Sequence, residues 1–216
     1  MSRQRSSEPT ASTVLSSARD GVDIIQIDDV IPKVYQDQIE AEISSNRTPW
    51  FFLPESGRRA KVETTYSGFT HTVFHVEDMN PAGATMSALL LPLLFALCDK
   101  ASLPYNALLR IRLGLFPKTL IDVPHHNPHV DFYNPPHRTA VYYVNDSDGD
   151  TFVFEETSVE LNLEQSLAYT REQKFTVAKR VSPKKGRIMC FDGKHYHASM
   201  HPMKSAYRLA ITFNFT

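Results

Sequence analysis

The pattern of apolar and polar positions predicts helices in the first half of the chain. Ile31, Tyr35, Ile39 and Ile43 recur every four residues, which is typical of the buried face of an amphipathic helix. Pro32 suits the first turn of such a helix, where its missing N–H costs nothing. The sequence therefore predicts a first helix that packs through its isoleucines.

A second helix is predicted further along the chain. Asn80 followed by Pro81 is typical of a helix start, and the helical pattern runs to about Lys100. Within it, the strongly apolar run from Leu89 to Leu97 is too short to span a bilayer, and Pro92 interrupts it. This run is expected to be a buried part of the helix.

Short runs of β-branched and aromatic residues, bounded by turn residues, predict strands in the rest of the chain. Upstream of the second helix they lie at 22–27 and 62–74. From Ala107 onward they lie at 107–116, 129–133, 138–145, 151–155, 173–181, 187–191 and 206–215. Helices followed by many short strands predict a mainly β fold, a jelly-roll-like sandwich with the N-terminal helices packed on one face.

Two of these strands have a mixed polar face that is expected to line the interior of the sandwich. In the last strand one face is apolar, consisting of Leu209, Ile211, Phe213 and Phe215. The opposite face consists of Arg208, Ala210, Thr212 and Asn214. A second inward row is formed by Thr139, Val141, Tyr143 and Asn145. An arginine that points inward needs an anionic partner, because an unpaired buried charge is very costly.

Length and composition fit one domain in a reducing compartment. The chain has 216 residues, a formal net charge of −1 and two cysteines in apolar contexts. We expect a disordered tail rich in Ser, Arg and Thr at residues 1–20, followed by a single domain at 21–216 with its catalytic β-core at about 107–216. The near-neutral charge makes nucleic acid an unfavoured partner, and no membrane partner is expected. The absence of a signal-like segment predicts a cytoplasmic location.

The candidate chemistry begins with His129 and Asp131, which lie two positions apart and would share one face of an extended strand. Two histidines and one carboxylate on one side of an ion form the facial triad that binds non-haem Fe(II) and leaves other positions open. The third ligand could come from His195, His197 or His201. Arg208 follows these histidines and could hold a dicarboxylic acid through two parallel hydrogen bonds.

The second half of the chain resembles the 2-oxoglutarate/Fe(II)-dependent dioxygenases, and within them the prolyl-hydroxylase branch. The resemblance covers about 107–215 and is carried by an ordered set of segments: His129-Val-Asp131, the strand 139–145 with sequence TAVYYVN, 149–154 (GDTFVF), 183–186 (PKKG), Phe191, His197 and 207–213 (YRLAITF). It implies a double-stranded β-helix fold. Two departures are Phe116, where a tyrosine is expected, and a long stretch from Pro117 to Pro128.

The resemblance also implies a set of site residues and cofactors. The iron ligands would be His129, Asp131 and His197, the last of which has the family's spacing to Arg208. Arg208 and Tyr143 would hold the distal carboxylate of 2-oxoglutarate, with Thr139 lining the same site. The cofactors implied are Fe(II), 2-oxoglutarate and O2, with ascorbate as a further candidate.

The expected reaction is hydroxylation of a C–H bond, in a prolyl or other residue of a peptide or protein or in a small molecule. The loop 117–128 and the flank 134–137 would border the pocket mouth, and His125, His126 and Tyr133 are the candidate substrate-binding side chains. One alternative is a non-enzymatic jelly-roll module with a vestigial metal site. Another is an oxidative nucleic-acid demethylase, which would need a basic, aromatic groove for a flipped base.

Overall fold

A computed structural model describes residues 14–16, 21–54, 67–78, 83–120, 124–172 and 174–216. The helices are α1 (Lys33–Ile43), α2 (Ala84–Ala101) and α3 (Leu163–Arg171). The strands are β1 (Val14–Ser16), β2 (Ile24–Ile27), β3 (Phe51–Leu53), β4 (Gly68–His75), β5 (Leu108–Pro117), β6 (Arg138–Tyr143), β7 (Thr151–Thr157), β8 (Val177–Val181), β9 (Ile188–Asp192), β10 (His195–Ser199) and β11 (Tyr207–Phe215).

The strands form two antiparallel sheets that face each other. The major sheet has the order β1-β2-β9-β6-β11-β5-β4-β3, and the minor sheet has the order β10-β7-β8. In the second half of the chain β6, β9 and β11 join the major sheet, whereas β7, β8 and β10 form the minor one. This mainly β sandwich with helices on one face confirms the predicted fold class.

The two N-terminal helices cover the outer face of the major sheet. Ile39 and Ile43 of α1 and Leu94 and Leu97 of α2 are fully buried in one cluster with apolar residues of β5, β6, β9 and β11. Helix α2 has 18 residues and is therefore longer than its apolar run from Leu89 to Leu97. By length and composition alone it could cross a membrane. Its buried leucines instead belong to the core beneath the sheet.

The alternation of β11 decides which side chains enter the sandwich. Leu209, Ile211, Phe213 and Phe215 all pack in the cluster beneath the helices, as the sequence pattern predicts. Ala210 belongs to the smaller cluster between the sheets, together with Val141 and Tyr143 of β6. Arg208 and Asn214, which share the phase of Ala210, are both buried. The interior therefore carries polar groups at both ends of one strand.

Several elements differ from the sequence-based expectations. Residues 129–133 do not form a strand; only His129 makes an isolated bridge, to His197. Strands β3 and β10 and helix α3 were not expected, and α3 lies in the 157–172 stretch that was taken as a connection. Residues 14–16 of the predicted tail pair with β2, whereas the rest of that tail, the Asn80-Pro81 start and positions 62–66 lie outside the described residues.

We expect Ile39→Ala to lower the free energy of unfolding by about 2–5 kcal/mol, because it leaves a cavity where α1 meets the sheet. Val34→Ala in the same helix is the matched control, since Val34 is 78% exposed and its truncation should change stability by about 0.5 kcal/mol or less. Urea unfolding followed by far-UV circular dichroism measures both. Equal effects for the two variants would contradict the packing described.

Candidate active site

Three side chains from distant parts of the sequence converge inside the sandwich. One ligand atom from each of His129, Asp131 and His197 lies within 4.8 Å of the others. Nε2 of His129 is 4.0 Å from Oδ1 of Asp131, and Nε2 of His197 is 3.8 Å from Oδ2. Such a group of two imidazoles and one carboxylate has the composition of a facial triad.

Backbone pairing holds the two histidines side by side. The N–H of His129 donates to the carbonyl of His197 at 3.0 Å, and the N–H of His197 donates back at 2.9 Å. Nδ1 of His129 lies 3.1 Å from the carbonyl of Asn127, and Nδ1 of His197 lies 3.4 Å from the carbonyl of His195. When Nδ1 carries the proton, Nε2 is left with the lone pair that a metal needs.

The carboxylate of Asp131 is held by two residues of the major sheet. Its Oδ1 forms a buried ion pair with Arg110 of β5. Its Oδ2 accepts a hydrogen bond of 2.8 Å from Nδ2 of Asn214 on β11. Asn214 also accepts from Nε of Arg110 at 3.0 Å and donates to Oγ1 of Thr139 at 3.1 Å. These contacts form one connected network behind the carboxylate.

The electrostatics favour the protonation states that bind a divalent cation. Burial lowers the pKa of His129 to about 3, and burial also lowers the pKa of His197, so both imidazoles are neutral near pH 7. Burial alone would raise the pKa of Asp131, but the charge of Arg110 and the other neighbours outweigh burial and lower that pKa well below its ordinary value. Two neutral imidazoles and one ionised carboxylate fit Fe(II).

Arg208 lines a small cavity of about 70 Å³, and the three triad residues line the same cavity. Its Nε donates to the carbonyl of Gly149 at 2.8 Å, and Nη2 donates to Oγ1 of Thr151 at 2.9 Å. Burial lowers the pKa of Arg208, although a guanidinium stays charged in proteins. Within the described part of the chain no carboxylate forms an ion pair with it, so its charge is available to an anion in the cavity.

Tyr143 lies beside this cation, whereas Thr139 does not. The ring of Tyr143 is 5.6 Å from the Arg208 guanidinium carbon, and its hydroxyl donates to Thr151 at 2.8 Å. Thr139 is fully buried next to Asn214 and is not among the residues lining the small cavity. Val141, two positions on, lines the cavity instead, and the expected role of Thr139 at the cosubstrate stays a prediction.

A larger cavity of about 600 Å³ opens on the other side of the triad. His129, Asp131 and Arg110 line both cavities, so the triad stands between them. Tyr133 lines the larger cavity, and its expected contact with substrate stays a prediction. The remaining lining residues include Phe132, Tyr196, and Ser166 and Leu167 of α3.

His125 and His126 lie away from both cavities. His125 packs on Phe152 and Phe154 at ring distances of 5.4 and 5.0 Å. His126 is fully buried, 4.8 Å from the ring of Phe116, and its Nδ1 is 3.2 Å from Oγ of Ser199. The substrate-binding role expected for these two histidines is therefore not supported by their position, because His125 packs on the minor sheet and His126 lies between Phe116 of the major sheet and Ser199 of the minor one. Positions 121–123 of the same loop lie outside the described residues.

The other candidates for the third ligand have contacts elsewhere. Nδ1 of His195 lies 3.0 Å from the carbonyl of Phe154, and Nδ1 of His201 lies 2.7 Å from the carbonyl of Pro117. A register shift between positions 195 and 197 of β10 separates the two histidines that strict alternation would place on one face. His197 is the one that lies beside His129 and Asp131.

Two site residues were missed although the sequence held a signal for them. Arg110 lies in phase with Arg112, Gly114 and Phe116, all of which line the small cavity. Because much of this strand is apolar, Arg110 could have been predicted to form an ion pair with Asp131. Asn214 was assigned to the inward face of β11 without a role. Helix α3 was also missed, although Asn162 and Gln165 form a capping box that the sequence could have shown.

We expect the metal-free protein to lose stability as the pH falls from 7 to 4.5. Native His129 has a pKa of about 3 against 6.5 when unfolded, so below pH 6.5 the unfolded chain binds more protons. Each such histidine costs up to about 1.4 kcal/mol per pH unit in that window. Urea unfolding with chelator at several pH values measures the slope, and His129→Gln should reduce it. Constant stability over this range would contradict the buried, neutral state.

Comparison with protein families supports this interpretation of the site. Residues 122–216 match the model of the 2OG-Fe(II) oxygenase superfamily. That range includes the three triad residues and Arg208, and it coincides with the β-rich part of the resemblance noted in the sequence. No curated protein matches the chain.

Solved structures show the same fold around the site. The α-ketoglutarate-dependent epimerase SnoN from nogalamycin biosynthesis matches with a TM-score of 0.64 at 15% identity, over 92% of this chain and 79% of its own. A prolyl-4-hydroxylase from Pseudomonas putida matches at 0.54 and 16%, over 89% and 91% of the two chains. A prolyl hydroxylase from Trichoplax adhaerens, in complex with a peptide of hypoxia inducible factor, matches at 0.53 and 14%, over 89% and 82%. These structures thus share the fold of this chain, and its residues 122–216 match the 2OG-Fe(II) oxygenase superfamily.

Proposed function

We propose that the protein is a 2-oxoglutarate- and Fe(II)-dependent dioxygenase that hydroxylates a C–H bond, with His129, Asp131 and His197 as the iron ligands. The observation that carries this proposal is the position of the triad between two cavities of different size. Bound Fe(II), with 2-oxoglutarate, supplies the oxidation of substrate by O2 coupled to loss of CO2 and formation of succinate. The protein's contribution is to bind and orient the reactants on the two sides of the triad.

The smaller cavity is the proposed site for 2-oxoglutarate. Arg208 and all three triad residues line it, so a dicarboxylate bound there could pair with the guanidinium through one carboxylate and face the triad with the other. Thr151 accepts from both Arg208 and Tyr143, which fixes the guanidinium in place. We therefore propose that Tyr143 positions Arg208, because its hydroxyl already donates a hydrogen bond to Thr151. Phe116 covers the guanidinium at 5.9 Å and keeps that end of the cavity apolar.

The larger cavity is the proposed substrate site. A prolyl or other residue of a peptide is the first candidate, supported by the likeness in fold to two prolyl hydroxylases. A small molecule is the second, because a cavity of about 600 Å³ has the size of typical small-molecule sites. A nucleic-acid substrate is not favoured, since Arg110 is the only lysine or arginine among the lining residues described and it is paired with Asp131.

The function is tested by incubating purified protein with Fe(II) and 2-oxoglutarate in air and measuring succinate. Succinate should form at a slow rate without substrate and faster with a substrate, and it should be lost in His197→Ala. The non-enzymatic alternative, a vestigial metal site, predicts that neither metal binding nor succinate is detected. A mass-spectrometric search for products heavier by one oxygen atom, in peptide and small-molecule pools, then separates the two substrate candidates.

We expect Arg208→Met to weaken 2-oxoglutarate binding by about 2–5 kcal/mol, because the variant removes the cation that pairs with the distal carboxylate. Titration calorimetry of 2-oxoglutarate into Mn(II)-loaded protein, where Mn(II) replaces Fe(II) without oxidation, measures the change. Mn(II) affinity is the internal control and should stay within about threefold of wild type, a change of about 0.7 kcal/mol or less. Unchanged 2-oxoglutarate affinity would refute the role of Arg208.

A further inference from the structure

The carboxylate of Asp131 has a partner on each oxygen before any metal binds. Oδ1 contacts Nη2 of Arg110, and Oδ2 accepts from Nδ2 of Asn214. Asp131 lies outside the regular strands, between the bridge at His129 and the turn that precedes β6. Its own backbone therefore does little to fix the direction of the side chain, and that direction depends on its two partners.

The two partners are themselves fixed relative to each other. Arg110 and Asn214 are directly opposite in the β5–β11 ladder, and Nε of Arg110 donates to Oδ1 of Asn214 at 3.0 Å. Asn214 is held on its other side by Thr139, its neighbour in the β6–β11 ladder. Side chains from two adjacent strands of the major sheet thus contact the carboxylate, and Thr139 from a third strand holds one of them. The guanidinium also stacks over Phe132 at 5.1 Å, which restricts its rotation.

We propose that Arg110 and Asn214 are positioning residues that hold the Asp131 carboxylate in the orientation required for metal binding. The inference rests on the proposed function, because it assumes that Asp131 is a metal ligand. Arg110 suits this task because its planar guanidinium forms an ion pair with Asp131 through Nη2 while its Nε donates to Asn214. Thr139, which was expected at the cosubstrate, supports the same network by accepting from Asn214.

An opposing effect makes the proposal testable. Arg110 is a cation beside a site for a divalent cation, and Coulomb repulsion alone predicts that its removal would strengthen metal binding. Positioning predicts the opposite sign, because residues behind a metal ligand typically contribute about 10–100-fold to metal affinity. The sign of the change in Mn(II) affinity therefore separates the two effects.

The experiment is calorimetric titration of Mn(II) into the metal-free protein and its variants. Arg110→Met and Asn214→Ala should each weaken Mn(II) binding by about 10-fold or more. Arg110→Lys should weaken it as well, since an ammonium keeps the charge but lacks the planar fork. Because Arg110 is buried, Arg110→Lys is also the milder change and preserves a test if Arg110→Met does not fold. Tighter or unchanged Mn(II) binding in the variants, or wild-type affinity in Arg110→Lys, would overturn the proposal.

A matched control is available on the outer side of the molecule. Arg187 forms a two-point ion pair with Asp28, at 2.6 and 3.0 Å, and neither residue lines the cavities. Arg187→Met should keep Mn(II) affinity within about twofold, a change of about 0.4 kcal/mol, while removing a comparable ion pair. Failure of wild-type protein to bind Mn(II), or binding that persists in His129→Ala, would count against the metal site itself. The positioning role fails when wild type binds Mn(II) and the Arg110 or Asn214 variants bind it equally well or more tightly.

Discussion

The buried ionised carboxylate of Asp131 is the constraint around which this protein is organised. A carboxylate removed from water is costly unless it is paired and hydrogen-bonded, and here its partners come from two neighbouring strands of one sheet, with a third strand holding one of them through Thr139. Those strands must keep their register for the partners to meet. The helices on the outer face of the major sheet thus have an indirect role at the site, since their packing holds β5, β6 and β11 together.

Strand β11 connects the two ends of the site through its simple alternation. Its inward positions carry a cation near one end and an amide near the other, with the small Ala210 between them. The small residue leaves room for the cavity that Arg208, Ala210 and Thr212 line, whereas Asn214 contacts Asp131 and is not part of that lining. One strand therefore carries both the cation of the proposed cosubstrate cavity and an amide that holds the Asp131 carboxylate. The minor sheet supplies His197 across from it.

The sequence predicted those features that depend on strict alternation or on fixed spacing. The face of β11 and the inward positions of Tyr143 and Arg208 follow from a period of two, and the fold class follows from the order of elements. It failed where tertiary contacts override local pattern. His129 and Asp131 approach through an irregular segment instead of a strand, and α3 forms from a polar sequence because it caps well at Asn162 and packs beside the cavity. Likewise, no local pattern in the sequence predicts that His125 and His126 turn inward.

The mutual hydrogen bonds of His129 and His197 join two segments that are far apart in the sequence. An ion bound by both would act as a reversible cross-link that closes a long loop of the chain. Cross-links of this kind stabilise mainly by restricting the unfolded ensemble, and a ligand that binds only the native state adds to this by mass action. The supply of free metal would then govern how long the protein survives proteolysis, independently of any catalytic turnover.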